Sequence, residues 1–295
     1  MSPLAQSKGI IYNNMKKISF SIDIKAPKEK VWYSLWDEEN YQNWTSAFCE
    51  GSFTISDWNE GSKIYFLAPN GDGMNSKISI KKPFETMSFN HFGELKDYKE
   101  IPPSQETLSW SGSEERYDIT ANNGISTVTV KMDIVDKYVD YFNESFPKGL
   151  QKLKEISESD TESITVRIAT KESLEKVWDY FTNPEHIIDW NHASDDWHCP
   201  KAVNDLKAGG RFVYTMASKD GEMSFDFNGI YSEVVPLKRF VYNIEDGRKV
   251  TVKFDVLDNN VIITQNFEPE NIHSIELQRG GWQSILNNFK KQVEQ

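Results

Sequence analysis

Two stretches of this chain lie over one another without a gap: ISFSIDIKAPKEKVWYSLWDEENYQNW at 18–44 and ITVRIATKESLEKVWDYFTNPEHIIDW at 164–190. Lys30-Val31-Trp32 falls on Lys176-Val177-Trp178 and Trp44 on Trp190, at a constant offset of 146 residues (176 minus 30, and 190 minus 44). Solenoid repeats run to roughly 20 to 50 residues, so a unit this long is a whole domain. The chain reads as one fold present twice in tandem.

A length of 295 residues fits two domains, each able to bury its own core. Residues 1–15 read as a flexible leader, 16–156 as the first domain, 157–163 as a linker and 164–295 as the second domain. The linker, SESDTES, is polar, acidic and devoid of apolar side chains. Lys plus Arg number 33 against 45 Asp plus Glu, a net charge of -12, which argues against a general affinity for nucleic acid or anionic lipid. No apolar run is long enough to span a bilayer, and the N-terminus lacks the apolar core of a secretory signal. Cys49 and Cys199 fall at similar distances after Trp44 and Trp190, so they read as matching free thiols in a reducing cytoplasm.

Each copy opens on an alternating strand, with Ile18, Phe20, Ile22 and Ile24 on one face in the first and Ile164, Val166 and Ile168 in the second. A helical stripe follows: Val31, Trp32, Leu35 and Trp36, echoed by Val177, Trp178 and Phe181. Pro27 is placed in the first turn of that helix. A second short helix is expected to start at Asn183-Pro184 and end near Trp190. The period then becomes two, with Asp220-Gly221 and Asp258-Asn259-Asn260 as hairpin corners, which predicts a run of antiparallel strands. Trp282, Ile285, Leu286, Phe289 and Val293 form the apolar stripe of a closing helix, as do Phe146, Leu150 and Leu153. Gly71-Asp72-Gly73 reads as a turn, and Gly280-Gly281 as the start of that last helix.

This order, with DLKAGGRFVYTM, DFNGIYSEVVPLKRFVYN and GGWQSILNNF, resembles the family named after the activator of the heat-shock protein 90 ATPase, within the START-like or SRPBCC superfamily. The second copy carries all three segments. The first keeps WNEGSKIYFLAP, has Gly61-Ser62 where the second has Gly209-Gly210, and adds a polar stretch around 93–114. The resemblance implies an α+β fold of tandem helix-grip domains like the birch pollen allergen. In each, a curved antiparallel sheet wraps a long C-terminal helix with an apolar cavity between them. It implies lipids, sterols, hormones or polyketides as ligands and no particular reaction.

The expected cavity walls come from inward strand residues and the helix stripe: Tyr214, Met216, Phe225, Phe227, Trp282 and Ile285 in the second domain, with Phe66 and Phe89 in the first. Trp44, Trp190 and Trp197 are placed at the mouth. A filled core of the same residues is the competing reading. His91, on the Phe89 face, is either a polar anchor in the pocket or a hydrogen-bonded histidine at a strand end. His186, His192, His198 and Cys199 lack the paired spacing of a zinc site, and His192 with Asp189 or Asp195 is as readily a solvated loop as an acid/base pair. The segment 93–114, with Pro102-Pro103, reads as a loop, either a lid over the cavity mouth or a contact with the second domain.

The leading expectation is a cytoplasmic, non-enzymatic protein that binds a small hydrophobic ligand, with no metal, cofactor or catalytic residue assigned. A chaperone accessory is the alternative that the family name implies. A cyclase or hydrolase working in the cavity is the third, and it requires a buried polar pair.

Overall fold

The structure is a computed structural model that describes residues 15–159 and 163–295. Almost all of the expected leader, 1–15, and the middle of the expected linker therefore lie outside the described residues.

The first half of the chain runs β1 (Met15–Ile24), α1 (Lys28–Trp36), α2 (Glu38–Thr45), β2 (Phe53–Ile55), β3 (Lys63–Leu67), β4 (Gly73–Lys82) and β5 (Thr86–Lys96). It continues through β6 (Lys99–Glu100), α3 (Gln105–Trp110), β7 (Ser113–Asn122), β8 (Ile125–Val135) and α4 (Val139–Glu158). The second half repeats the plan: β9 (Ile164–Thr170), α5 (Leu174–Thr182), α6 (Pro184–Trp190), β10 (Trp197–Asn204), β11 (Arg211–Ser218) and β12 (Ser224–Val235). β13 (Arg239–Ile244), β14 (Lys249–Leu257), β15 (Asn260–Phe267) and α7 (Ile275–Val293) complete it.

The described residues form two compact units. One gathers those up to Trp32 with Asn43–Thr54 and Trp58–Glu158, and the other Tyr33–Gln42, Ile55–Asp57 and those of Ser159–Gln295. The strand orders are β1-β8-β7-β5-β4-β3-β2 and, read from the far edge, β9-β15-β14-β13-β12-β11-β10. Strand for strand these are one topology, with β6 an addition on β5. Each is a curved antiparallel sheet closed by a long helix, so the α+β helix-grip expectation holds in both.

Local chemistry explains the element ends. Asn183 caps α6, its side chain accepting from the Glu185 N–H, and Pro184 takes the first helical position, where its missing N–H costs nothing. Pro27 sits one residue ahead of α1 rather than inside it, its carbonyl accepting from Val31 N at 3.1 Å. At the β14–β15 corner Asp258 and Asn259 both have positive φ, 50° and 62°, the geometry of a tight hairpin turn. Pro200 falls within the register shift between His198 and Lys201 on edge strand β10, where a missing donor disturbs no ladder.

Three further sequence expectations need correction. Helix α7 starts at Ile275, well before Gly280-Gly281, because the Ser274 side chain caps it by accepting from Leu277 N. The two glycines lie within the helix although each disfavours it by about 1 kcal/mol. Residues 93–114 are not a bare loop: they hold the end of β5, strand β6 and helix α3, which a Ser104–Thr107 capping box starts. Helix α4 runs on through Glu158, into the expected linker, and carries Pro147 in its interior.

Candidate functional site: the helix-facing sheet surfaces

In the C-terminal unit the helix-facing side of the sheet is fixed by one stack. Trp282 of α7 lies on Phe267 of β15, ring centroids 4.0 Å apart and planes within 17°. Directly opposed residues of an antiparallel pair share a face, so the row Phe267, Val250, Tyr242, Tyr231 faces α7. Two residues along β12 at a time, Phe227 and Phe225 share the side of Tyr231, and they pair with Tyr214 and Met216 of β11.

Burial along this surface is graded. Leu286, Phe289 and Val293, in the C-terminal half of α7, are fully buried, as are Phe212 and Phe267. Trp282, Ile285, Tyr214 and Phe227 are packed against the same core yet remain partly exposed. The helix thus seals on the sheet at its C-terminal end and leaves reachable apolar surface toward its N-terminal end. Phe227 meets Trp282 edge-on at 6.2 Å and Phe212 at 5.8 Å. Trp190 is buried elsewhere, against Phe181 and Phe289. Trp197 and Phe225 form their own pair at 5.8 Å, with Phe225 53% exposed at the end of its strand.

Sequence reasoning missed a buried polar chain in this wall. The Tyr231 hydroxyl donates to Asn204 Oδ1 at 2.9 Å, Asn204 Nδ2 donates to the Thr182 carbonyl at 2.6 Å, and the Tyr214 phenol lies beside that of Tyr231. Burial pushes Tyr231 up to about 12 and Tyr214 well above the usual phenol range, so both stay neutral hydrogen-bonding groups at physiological pH. Cys199, buried nearby, has its thiol pushed up to about 11 by the same loss of solvation.

In the N-terminal unit Phe20 of β1 stacks on Phe146 of α4 at 4.7 Å. Its row, Phe20, Val130, Tyr117, Met87, faces that helix, and so does the next, Ile18, Met132, Glu115, Phe89. One row further stand Ser113, His91, Ser76 and Ile64. Of the expected residues, Phe66 meets Phe89 at 5.1 Å, and Tyr117, which the sequence reading did not single out, links Phe89 at 6.4 Å to Trp44 at 6.2 Å. Trp44, Phe89 and His91 are buried and Phe66 is half-buried.

His91 sits mid-strand in β5 and is not isolated. Its Nδ1 pairs with Ser76 Oγ at 2.7 Å and its Nε2 with Glu115 Oε2 at 3.2 Å, while the Tyr117 hydroxyl donates to Glu115 Oε1 at 2.5 Å. The other histidines are dispersed. His186 stacks on Tyr180 at 3.9 Å and pairs with Asp179 at 3.2 Å. Partial burial, then Lys219, hold His192 below the ordinary histidine range, and Asp189 accepts instead from Gln292. Among the described residues no group of three or more His, Cys, Asp or Glu side chains is placed to hold a metal.

Fold and interior together define a START-like protein of two helix-grip units. Residues 171–294 match the family described as Activator of Hsp90 ATPase homolog 1-like protein. An AHSA1-like protein from Aeromonas hydrophila is 38% identical over 44% of this chain and 92% of its own, with a TM-score of 0.42. A protein from Cytophaga hutchinsonii is 48% identical over 45% of this chain and 92% of its own, TM-score 0.41. The di-domain ARO/CYC protein BexL of the BE-7585A biosynthetic pathway covers 95% of this chain and 99% of its own at 12% identity, TM-score 0.40. No curated protein matches. The chain belongs to the AHSA1-like family.

Proposed function

We propose that the C-terminal unit is a binding module for a small apolar molecule, held without chemistry between its sheet and the N-terminal half of α7. The observation that carries this reading is the graded burial. Side chains between a sheet and its covering helix are close-packed by default, yet Trp282, Ile285, Tyr214 and Phe227 keep reachable surface beside a fully buried floor. Gly281, the residue before Trp282, has no atom within 4 Å of where a Cβ would stand, which fits open space on that stretch of the helix.

The ligand lies against Phe227, Trp282 and Ile285, and Met216, Phe225 and Trp197 extend the wall toward solvent. Tyr214, at the head of the phenol chain, supplies one polar contact, as befits a mainly apolar pocket with few oriented polar groups. Trp190 supports the floor. In the N-terminal unit Phe66, Phe89, Trp44 and His91 form the corresponding surface. A thermal-shift screen of fatty acids and of polycyclic phenols and ketones tests the reading: stabilisation by at least one apolar compound supports it, and a flat response across the panel opposes it.

A further inference from the structure

We propose that the N-terminal unit carries an acyl-transfer site, with Ser76 as nucleophile, His91 as its general base and Glu115 as the positioning residue behind the imidazole. This stands apart from ligand binding in the C-terminal unit.

Three adjacent strands of one sheet bring the groups together on the helix-facing side, Ser76 from β4, His91 from β5 and Glu115 from β7. The hydrogen bonds set the protonation pattern. An ionised carboxylate only accepts, so His91 Nε2 carries the proton that it shares with Glu115, and Nδ1 keeps its lone pair for the Ser76 hydroxyl. Tyr117 donates to the other carboxylate oxygen, which fixes Glu115 in place. Nucleophile, base and orienting acid in hydrogen-bond reach is the arrangement that activates a serine, and it is recognised by roles rather than by chain order.

The surroundings select the substrate class. Phe66 stands edge-on to His91 at 5.9 Å and to Phe89 at 5.1 Å, and Trp58 meets Phe89 at 6.3 Å. Walls of this kind suit an apolar acyl or aryl ester. Ser76 is 1% exposed, so a substrate reaches the hydroxyl only when neighbouring side chains move aside, and half-buried Phe66, edge-on to His91, is the candidate for that movement. Ser76 Oγ attacks the ester carbonyl while its proton passes to His91 Nδ1. The bond to the alcohol breaks as that proton is handed to the departing oxygen, and water then splits the acyl-serine by the reverse proton path.

The test is labelling of the full chain with an alkyl fluorophosphonate, in which Ser76 Oγ displaces fluoride at phosphorus and His91 takes the proton, followed by peptide mapping. The expected result is a single adduct on Ser76, absent in Ser76→Ala. Labelling should be at least about tenfold slower in His91→Gln and in Glu115→Gln, with a shifted pH profile for Glu115→Gln, and faster in Phe66→Ala. Circular dichroism establishes that each variant is folded. If a histidine variant does not fold, Ser76→Cys treated with iodoacetamide reads the same base through thiol reactivity at neutral pH. No adduct on Ser76, or labelling equal in the wild type and in folded Glu115→Gln, overturns the proposal.

Discussion

Trp282 lies flat on Phe267, their ring centroids 4.0 Å apart, and this stack joins the closing helix to the sheet of the C-terminal unit. Phe267 is fully buried whereas Trp282 keeps partial exposure, so the pair marks the line between sealed core and reachable surface. Truncating Trp282 to alanine should destabilise the unit by about 3 kcal/mol, the lower end for a large aromatic because the ring is only partly buried. Urea unfolding monitored by circular dichroism measures it.

Gly229 pairs with Phe212 across β11 and β12, and a Cβ there would stand 2.8 Å from the Phe212 ring and 2.5 Å from the Asn243 carbonyl oxygen. The backbone carbonyl cannot step aside without breaking the ladder. Gly229→Ala should therefore cost about 1–3 kcal/mol through overpacking, despite the better intrinsic strand preference of alanine. The shift in urea midpoint at unchanged slope is the readout.

The phenol chain predicts a loss of stability in strong alkali. Burial holds Tyr231 at about 12, above the ordinary value of 10.0, and raises Tyr214 well above that ordinary value too. Below pH 10 the phenols are neutral in both the folded and the unfolded chain, so they add no pH dependence. From about pH 10 upward the unfolded chain loses these protons first, and stability falls by about 1.4 kcal/mol per pH unit for each retained phenol until its folded value is passed. Denaturation between pH 9 and 11.5 should show that slope, and Tyr231→Phe should reduce it.

The two thiols should differ sharply in reactivity. Cys49 is exposed, whereas Cys199 is 2% exposed with its thiol pushed up to about 11. An aromatic disulfide reagent at pH 8 should modify one cysteine rapidly, and the second only after unfolding.

Much of the fold was legible because its signals are local and periodic. The repeat at an offset of 146, the Asn183-Pro184 cap and the Asp258-Asn259 corner each determine structure from a few residues. The start of helix α7 is placed five residues late by the sequence because Gly280-Gly281 carries a low helix propensity that packing overrides. The interior was less legible. Period-two alternation from Ile119 and Tyr117 does place Glu115 on the inner face, but an acidic residue in a strand is ordinarily read as facing water. The pairing of Ser76 with His91 depends on the register between β4 and β5, which includes a shift beside Ser76 that composition does not reveal. Tyr231 and Asn204 meet only when β10 and β12 are both in place.

Native mass spectrometry of the full chain, exposed to a panel of fatty acids and polycyclic compounds, measures most directly whether the space beside Trp282 admits a molecule. The wild type should retain one apolar compound at one-to-one stoichiometry, and Phe227→Arg, folded but with a charge on that wall, should release it. A wild type that retains nothing, or an adduct that survives Phe227→Arg, would contradict a binding site between the sheet and the N-terminal half of α7.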